Sequence, residues 1–328
     1  MLIKNWKMDF GTHKALECVA PCDMYSVLLA HSLIPEPYYA TNEQLLTDLS
    51  RQDCTFYCSF SLGEELSREH IELTFYGIDT ICDIYFNGTL LDSVKNMHRA
   101  YEYDIKALAK AENQIRLEIK SPVNYFYEKE REHHLYMDEN STVGACHLRK
   151  AFYMSGWDWA PRLPNMGIFR DVELRAYDTD ILGDILINQR HENGQVTLEI
   201  EASSKHSAED VSIICTLDGQ SITLADNKAE IKIENPRLWW PNGFGEQNLY
   251  DLHFSLVKGK AVLDRRTMTI GLRTLELSRE DDEHGQEFCF KVNGIKIFAM
   301  GANFVPIDSL PSRMTNERLE KIVKDCIF

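Results

Sequence analysis

A chain of 328 residues is too long for one ordinary domain and suits two or three. Its 35 Lys and Arg against 51 Asp and Glu leave a net charge of −16. So acidic a surface repels phosphate backbones and anionic lipids, which excludes nucleic acid and membrane surfaces as expected partners.

The first residues, Met1 to Lys7, carry charge and polarity where a secretory signal needs an apolar run. No stretch is long and apolar enough to span a membrane. The nine cysteines are odd in number and scattered, the pattern of reduced thiols in a cytoplasmic protein. Cys18 and Cys22, like Cys54 and Cys58, are four apart, wider than the usual zinc knuckle. Cys54 and Cys58 also fall in an apparent strand that would hold them apart. Neither a metal nor a cofactor is expected.

Residues 1 to about 50 read as a leading arm with one short helix, Met24 to His31, for which Asp23 is the N-cap. Ile34-Pro35-Glu36-Pro37-Tyr38-Tyr39 and Asn42-Glu43 follow it. From Cys54 to Ile119 the pattern is β, with runs at Ile71–Tyr76, Ile81–Phe86 and Gln114–Ile119, and Asn87-Gly88 is a strong hairpin signal. Short strands at this spacing predict a sandwich. His98 and Arg99 read as a surface strand end. Tyr125 to His134 reads as a solvated helix face, and His133-His134 as solvent-exposed rather than metal-binding.

Gly156-Trp157-Asp158-Trp159-Ala160-Pro161-Arg162 is the most distinctive stretch, holding two of the five tryptophans. Its glycine and Pro161, with Pro164 just beyond, predict a shaped loop rather than a helix or central strand. Indole faces pack on the C–H faces of sugar rings, and a carboxylate between them accepts hydrogen bonds from hydroxyl groups. The alternative use is packing, with the tryptophans closing the end of a sandwich. Gly167 to Leu174 then alternates as a strand.

Beyond residue 180 the strands are again short, at Gln195–Glu201, Val211–Thr216, Ala229–Glu234, Leu249–Ser255 and Arg266–Ile270. They predict a second all-β unit of immunoglobulin-like size. Phe288 to Phe298 reads as a hairpin turned at Asn293-Gly294. Leu319, Ile322, Val323 and Ile327 recur at helical spacing.

Arg149-Lys150-Ala151 with the Trp-Asp-Trp stretch resembles the motif of the beta-mannosidase branch of family 2 glycoside hydrolases. Four further regions resemble the same family in the same order: Gly77–Gly88 with Asn96–Asp104, Pro236–Tyr250, Gly271–Glu276 and Ala299–Arg313. The chain departs from the family at Ala100, Ala160 and Phe304, where proline, glycine and tryptophan are usual. The resemblance implies a mainly β fold. Residues 1–180 would form a jelly-roll β-sandwich of the galactose-binding kind, and 181–277 an immunoglobulin-like β-sandwich. Residues 278–328 would be the first βα unit of a (β/α)8 barrel, truncated there. It assigns Trp239-Trp240 to packing in the second sandwich.

The resemblance also implies function. The family removes sugars with retention, which needs one carboxyl as acid/base and another as nucleophile, roughly 5–5.5 Å apart. Both glutamates belong to later barrel strands, so no catalytic residue is assigned and the chain alone should be inactive. What it should supply is recognition of a β-mannoside or related oligosaccharide, by Trp157 and Asp158 and by Asn303 and Asp308 at the end of the first barrel strand. Exo-acting relatives specific for glucosamine or glucuronic acid are the near alternative. A non-catalytic carbohydrate-binding or scaffold protein ending at Phe328 is the other. Against that reading, a lone βα unit exposes apolar faces that a barrel would cover. The oligomeric state is left open.

Overall fold

A computed structural model describes residues 1–137 and 139–327. The chain divides into two compact units, Met1–Ala176 with Val305–Phe328, and Tyr177–Phe304. No helix among the described residues is long and apolar enough to cross a membrane.

The first unit is a β-sandwich. Its larger sheet has six strands, β1 (Asn5–Phe10), β2 (His13–Val19), β4 (Cys54–Ser61), β7 (Ile81–Phe86), β8 (Thr89–Val94) and β10 (Glu112–Lys120), in the order β2-β1-β4-β10-β7-β8. The second sheet runs β14-β5-β9, with β5 at His70–Phe75, β9 at Tyr101–Asp104 and β14 at Val172–Tyr177. Alternation sets the faces: Cys54, Phe56 and Cys58 of β4, Ile84 and Phe86 of β7, and Ile115, Leu117 and Ile119 of β10 are all buried. They share one core with Ile71, Leu73 and Phe75 of β5. Each such side chain contributes about 1.5–3 kcal/mol by leaving water.

The leading arm is more ordered than its sequence implied. The opening residues, read from the sequence as a leading arm without strands, form the β1–β2 hairpin, and β1 pairs β4 in the main sheet. The alternating Trp6, Met8 and Phe10 are buried, as the period of a strand with one face on the core requires. The short helix is present as α1 (Met24–Ala30), and Asp23 caps it by accepting from the Ser26 backbone N–H at 2.9 Å. A short helix α2 (Asn42–Leu46) follows. The polar run after β10 forms α3 (Pro122–Glu132), which is not solvated throughout, since Val123 and Phe126 are buried. A three-strand patch, β3 (Cys22–Asp23), β6 (Ile78–Asp79) and β13 (Gly167–Ile168), joins distant segments, with β13 central.

The second unit is a smaller sandwich. One sheet holds β15 (Leu182–Glu192), β16 (Gln195–Ser204) and β19 (Lys228–Ile233); the other runs β18 (Gln220–Thr223), β17 (Val211–Leu217), β20 (Tyr250–Lys258) and β21 (Ala261–Ile270). Val196, Leu198 and Ile200 share a core with Cys215, Leu252, Phe254 and Leu256. Trp239 and Trp240 are half-buried. Trp239 donates its backbone N–H to Leu272 O at 2.9 Å, and the Arg273 guanidinium lies 5.0 Å from its ring centroid. The first is a backbone hydrogen bond and the second a cation–π contact, and both lie within the second unit.

After Gly271, β22 (Leu275–Ser278) pairs with β25 (Cys289–Val292), which turns at Asn293-Gly294 into β26 (Ile295–Ile297). Both turn residues have positive φ, as a two-residue hairpin requires. The short β23 (Asp281–Asp282) and β24 (Gly285–Gln286) form a ribbon between them. The barrel strand expected within 299–313 is not formed, since those residues enter no ladder. A parallel barrel strand needs neighbours on both sides, and no parallel strand pairs with 299–313 among the described residues. The expected helix does form, as α4 (Asn316–Asp325), with Leu319 and Val323 exposed.

Candidate functional site

The Trp157-Asp158-Trp159 stretch is the tip of a tight hairpin. β11 (Ser155–Trp157) pairs antiparallel with β12 (Ala160–Arg162), Ser155 opposite Arg162 and Trp157 opposite Ala160. The ribbon has only two strands, so Pro161 interrupts no wider ladder. Gly156 has φ +105°, and a Cβ there would meet Asn140 O at 2.5 Å and Arg162 Cγ at 2.6 Å. Glycine is therefore required where the hairpin runs against the segment 139–142. That segment is bonded along it: Ser141 Oγ donates to Gly156 O at 2.9 Å, and Thr142 N donates to Ser155 O at 2.6 Å.

The loop's two ends are held from below. Lys150 is buried, and its ammonium donates to both carboxylate oxygens of Asp79 in β6 and, at 2.8 Å, to Asn165 O. Burial pushes the Lys150 ammonium below its usual range, and the Asp79 carboxylate opposes that.

Above this base lies an open cleft of about 660 Å³, lined among others by Tyr38, Glu43, Asn140, Trp157, Asp158, Trp159 and Arg162. Trp157 and Trp159 are 40% and 42% exposed, high values for so large an apolar side chain. Each has an aromatic neighbour. Phe152 meets Trp157 edge-on at 6.1 Å between centroids, and Tyr153 lies 6.0 Å from Trp159. Asp158 is exposed and accepts from Asn140 Nδ2 at 3.2 Å. Arg162 is held by its own contacts: its backbone N–H donates to Glu43 Oε1 at 2.7 Å, and its guanidinium donates to the carbonyls of Asn140 and Glu139 at 2.7 and 3.0 Å. The cleft thus offers indole surface beside a carboxylate, a combination suited to a polyhydroxylated ring.

The four residues singled out in the sequence fall in both units, three in the first and Asn303 in the second. Trp157 and Asp158 share the cleft. Asn303 is exposed, outside any ladder, and belongs to the second unit. Asp308 is buried in the first unit with its carboxylate fully engaged. It accepts from the Tyr38 hydroxyl and, at 3.0 Å, from the Leu310 N–H, and it pairs with Arg318 and with Arg313 at 3.2 Å. Its contact with the cleft is indirect, through Tyr38, whose hydroxyl is pushed up by burial and by that carboxylate. Asn140, Glu43 and Arg162 lie at the cleft without having been singled out. Glu43 stood in a run that attracted notice, while Asn140 had no local signal, since only the folded segment 139–142 brings it to the hairpin.

Comparison with known proteins agrees with this architecture. Residues 6–170 match the family model described as glycosyl hydrolase 2 galactose-binding domain-like, and residues 177–273 that of glycosyl hydrolases family 2. Beta-mannosidase B of Aspergillus fumigatus is 31% identical over 93% of this chain and 38% of its own length. The Aspergillus clavatus protein of the same name is 28% identical over 98% of this chain and 41% of its own. Among solved structures, the beta-D-mannosidase of Dictyoglomus thermophilum superimposes with a TM-score of 0.88 at 28% identity, over 99% of this chain and 42% of that one. An exo-chitosanase of Amycolatopsis orientalis gives 0.73 at 20% identity, covers 39% of that chain, and shares the fold. The chain therefore spans about two fifths of the length of these relatives.

Proposed function

The chain belongs to glycosyl hydrolases family 2, and from that premise we propose that its two sandwiches serve a retaining beta-mannosidase, supplying sugar recognition and scaffold rather than the reacting carboxyl pair. The observation that carries the reading is the hairpin tip, where Asp158 stands between two indoles that are each about two-fifths exposed over an open cleft. Indoles left in water at a hairpin tip are unfavourable for stability alone, and a sugar face would cover them. Asp158 would accept from ring hydroxyls, and Trp157 would shape the pocket. Asn303 remains a proposed contact on the strength of family resemblance and its exposure. Asp308 would act by holding Tyr38 in place rather than by touching sugar. The two relatives named beta-mannosidase B and the Dictyoglomus beta-D-mannosidase support mannose as the sugar. Nine unpaired thiols support a reducing, cytoplasmic setting.

The test is kinetic. The gene product read through to its stop codon is assayed on aryl β-mannoside, β-glucosaminide and β-glucuronide, beside its Asp158→Ala variant. The mannoside should be preferred, and the variant should lose about 10–10²-fold in kcat/KM, the size expected when a charged hydrogen bond to substrate is removed. Equal turnover by the variant, or preference for another sugar, overturns the reading.

A further inference from the structure

One cluster of side chains away from the Trp-Asp-Trp cleft has no part in the reading above. Glu130 lies in the last turn of α3, and Cys146 and His147 lie in the short 3-10 turn Ala145–His147 that packs on that helix through Phe126 and Ala145. The donor atoms of Glu130, Cys146 and His147 all lie within 4.8 Å of one another. Among the described residues this is the one group of three His, Cys, Asp or Glu side chains so disposed. One Glu130 oxygen lies 2.9 Å from His147 Nε2, and the other accepts from His134 Nδ1. The carboxylate and His147 are largely shielded from water, with side-chain exposures of 12% and 11%, while Cys146 is exposed.

We propose that Glu130, Cys146 and His147 form a site for a divalent transition metal of the zinc class, with His134 orienting Glu130 from outside the ligand set. The three donors are oxygen, sulfur and imidazole nitrogen, the set that suits zinc and excludes calcium and magnesium, which take oxygen alone. A tetrahedral zinc holds its ligand atoms about 3.5 Å apart, so the Glu130 and His147 donors, at 2.9 Å, need to part slightly, and the Cys146 sulfur, within 4.8 Å of both, needs to close by roughly 1 Å at most, within the reach of side-chain rotation. The fourth position is left to water. On binding, the Cys146 thiol gives up its proton to solvent, and the imidazole proton of His147 resides on Nδ1 so that Nε2 can ligate. His134 keeps its hydrogen bond to the other Glu130 oxygen, the usual outer-shell support of a ligating carboxylate.

The site would do structural work at the cleft. The chain running between His134 and Cys146 contains Glu139 and Asn140, which receive the Arg162 guanidinium, and Asn140, which donates to Asp158. A metal joining α3 to the 3-10 turn would anchor both ends of that segment and so hold Asn140 against the hairpin tip. The inference is independent of which sugar the cleft takes.

Cobalt(II) titration of the full 328-residue chain, purified in the presence of chelator and then freed of it, tests the site. Binding should saturate at one equivalent, with the d–d bands of a four-coordinate ion and a thiolate-to-cobalt charge-transfer band, and zinc should displace it. Cys146→Ser, at an exposed position that leaves the fold intact, should abolish the charge-transfer band. Glu130→Gln should weaken binding while leaving the band's position unchanged. Cys326→Ser, at the other exposed thiol, should change nothing. No saturable band at one equivalent, or a band that survives Cys146→Ser, overturns the proposal. Zinc should also slow proteolysis within 133–147 in the wild-type chain, and equal cleavage with and without zinc would refute the anchoring role.

Discussion

Lys150 and Asp79 meet as an ion pair with both side chains almost wholly shielded from solvent, at 1% and 2% exposure. The pair lies 71 residues apart in sequence and fastens the base of the Trp-Asp-Trp loop to β6. Lys150 also holds Asn165 at the loop's other end, so a single ammonium closes the loop.

Breaking this pair on one side should be costly. Lys150→Met leaves the Asp79 carboxylate buried without its cation, and removal of one member of a buried pair costs about 3–5 kcal/mol. Urea denaturation should show that loss for the first unit. The double variant Lys150→Met with Asp79→Leu should recover a substantial part of it, because two apolar groups leave no charge uncompensated. A double variant no more stable than the single one would refute the account.

Asp308 should behave as a structural residue. Its carboxylate holds Arg313, Arg318, Tyr38 and the Leu310 N–H, which ties the segment 305–328 to the leading arm. Asp308→Ala should cost about 2 kcal/mol, since the Leu310 N–H and the Tyr38 hydroxyl lose a charged acceptor and the partly exposed Arg313 and Arg318 lose their counter-ion. Trypsin should then cut after Arg313 or Arg318 much faster than in the wild type. Unchanged cleavage would argue against this role.

The sandwiches were legible in the sequence because alternation and Asn-Gly turns are local signals, as at Ile81–Phe86 with Asn87-Gly88. The β1–β2 hairpin was missed although Trp6, Met8 and Phe10 alternate, because the run is short and stands beside a helix signal. The exposed indoles of the cleft were legible as residue types. What the sequence hid was the company they keep. Asn140 reaches Asp158 only through the path of the chain between α3 and the hairpin, and the Tyr38 hydroxyl reaches the Asp308 carboxylate, which nearby Leu310, Arg313 and Arg318 also hold, from 270 positions away. Both are long-range consequences of the fold, which no local pattern encodes.

Gly156→Ala should distort the hairpin rather than unfold the unit. The φ of +105° is unfavourable for alanine, and its Cβ would press on the Asn140 carbonyl. A loss of about 2 kcal/mol is expected from strain and contact together. Intrinsic fluorescence should shift as Trp157 and Trp159 change surroundings, while far-UV dichroism stays that of the wild type. Asp158→Ala offers the contrast. With an exposed side chain, it should change stability by less than about 0.5 kcal/mol and affect recognition alone.

The second unit should carry its own acid sensitivity through Asp180. This buried carboxylate accepts the backbone N–H groups of Ile181 and His206 at 2.8 Å and of Ala208 at 2.9 Å. Burial acts to raise its proton affinity, but those donors with the Ser204 hydroxyl outweigh it, and the group sits below the usual aspartate range. A carboxyl depressed in the folded state stabilises above its unfolded value, near pH 4, and loses that contribution as pH falls through the folded value. Denaturation followed between pH 6 and pH 3 should therefore show the wild-type second unit losing stability below about pH 4. Asp180→Ala should be less stable by about 3 kcal/mol at pH 6, because three backbone donors lose a charged acceptor. Its stability should also fall less steeply in that acid range. A variant whose pH profile runs parallel to the wild type would show that another carboxylate governs the transition.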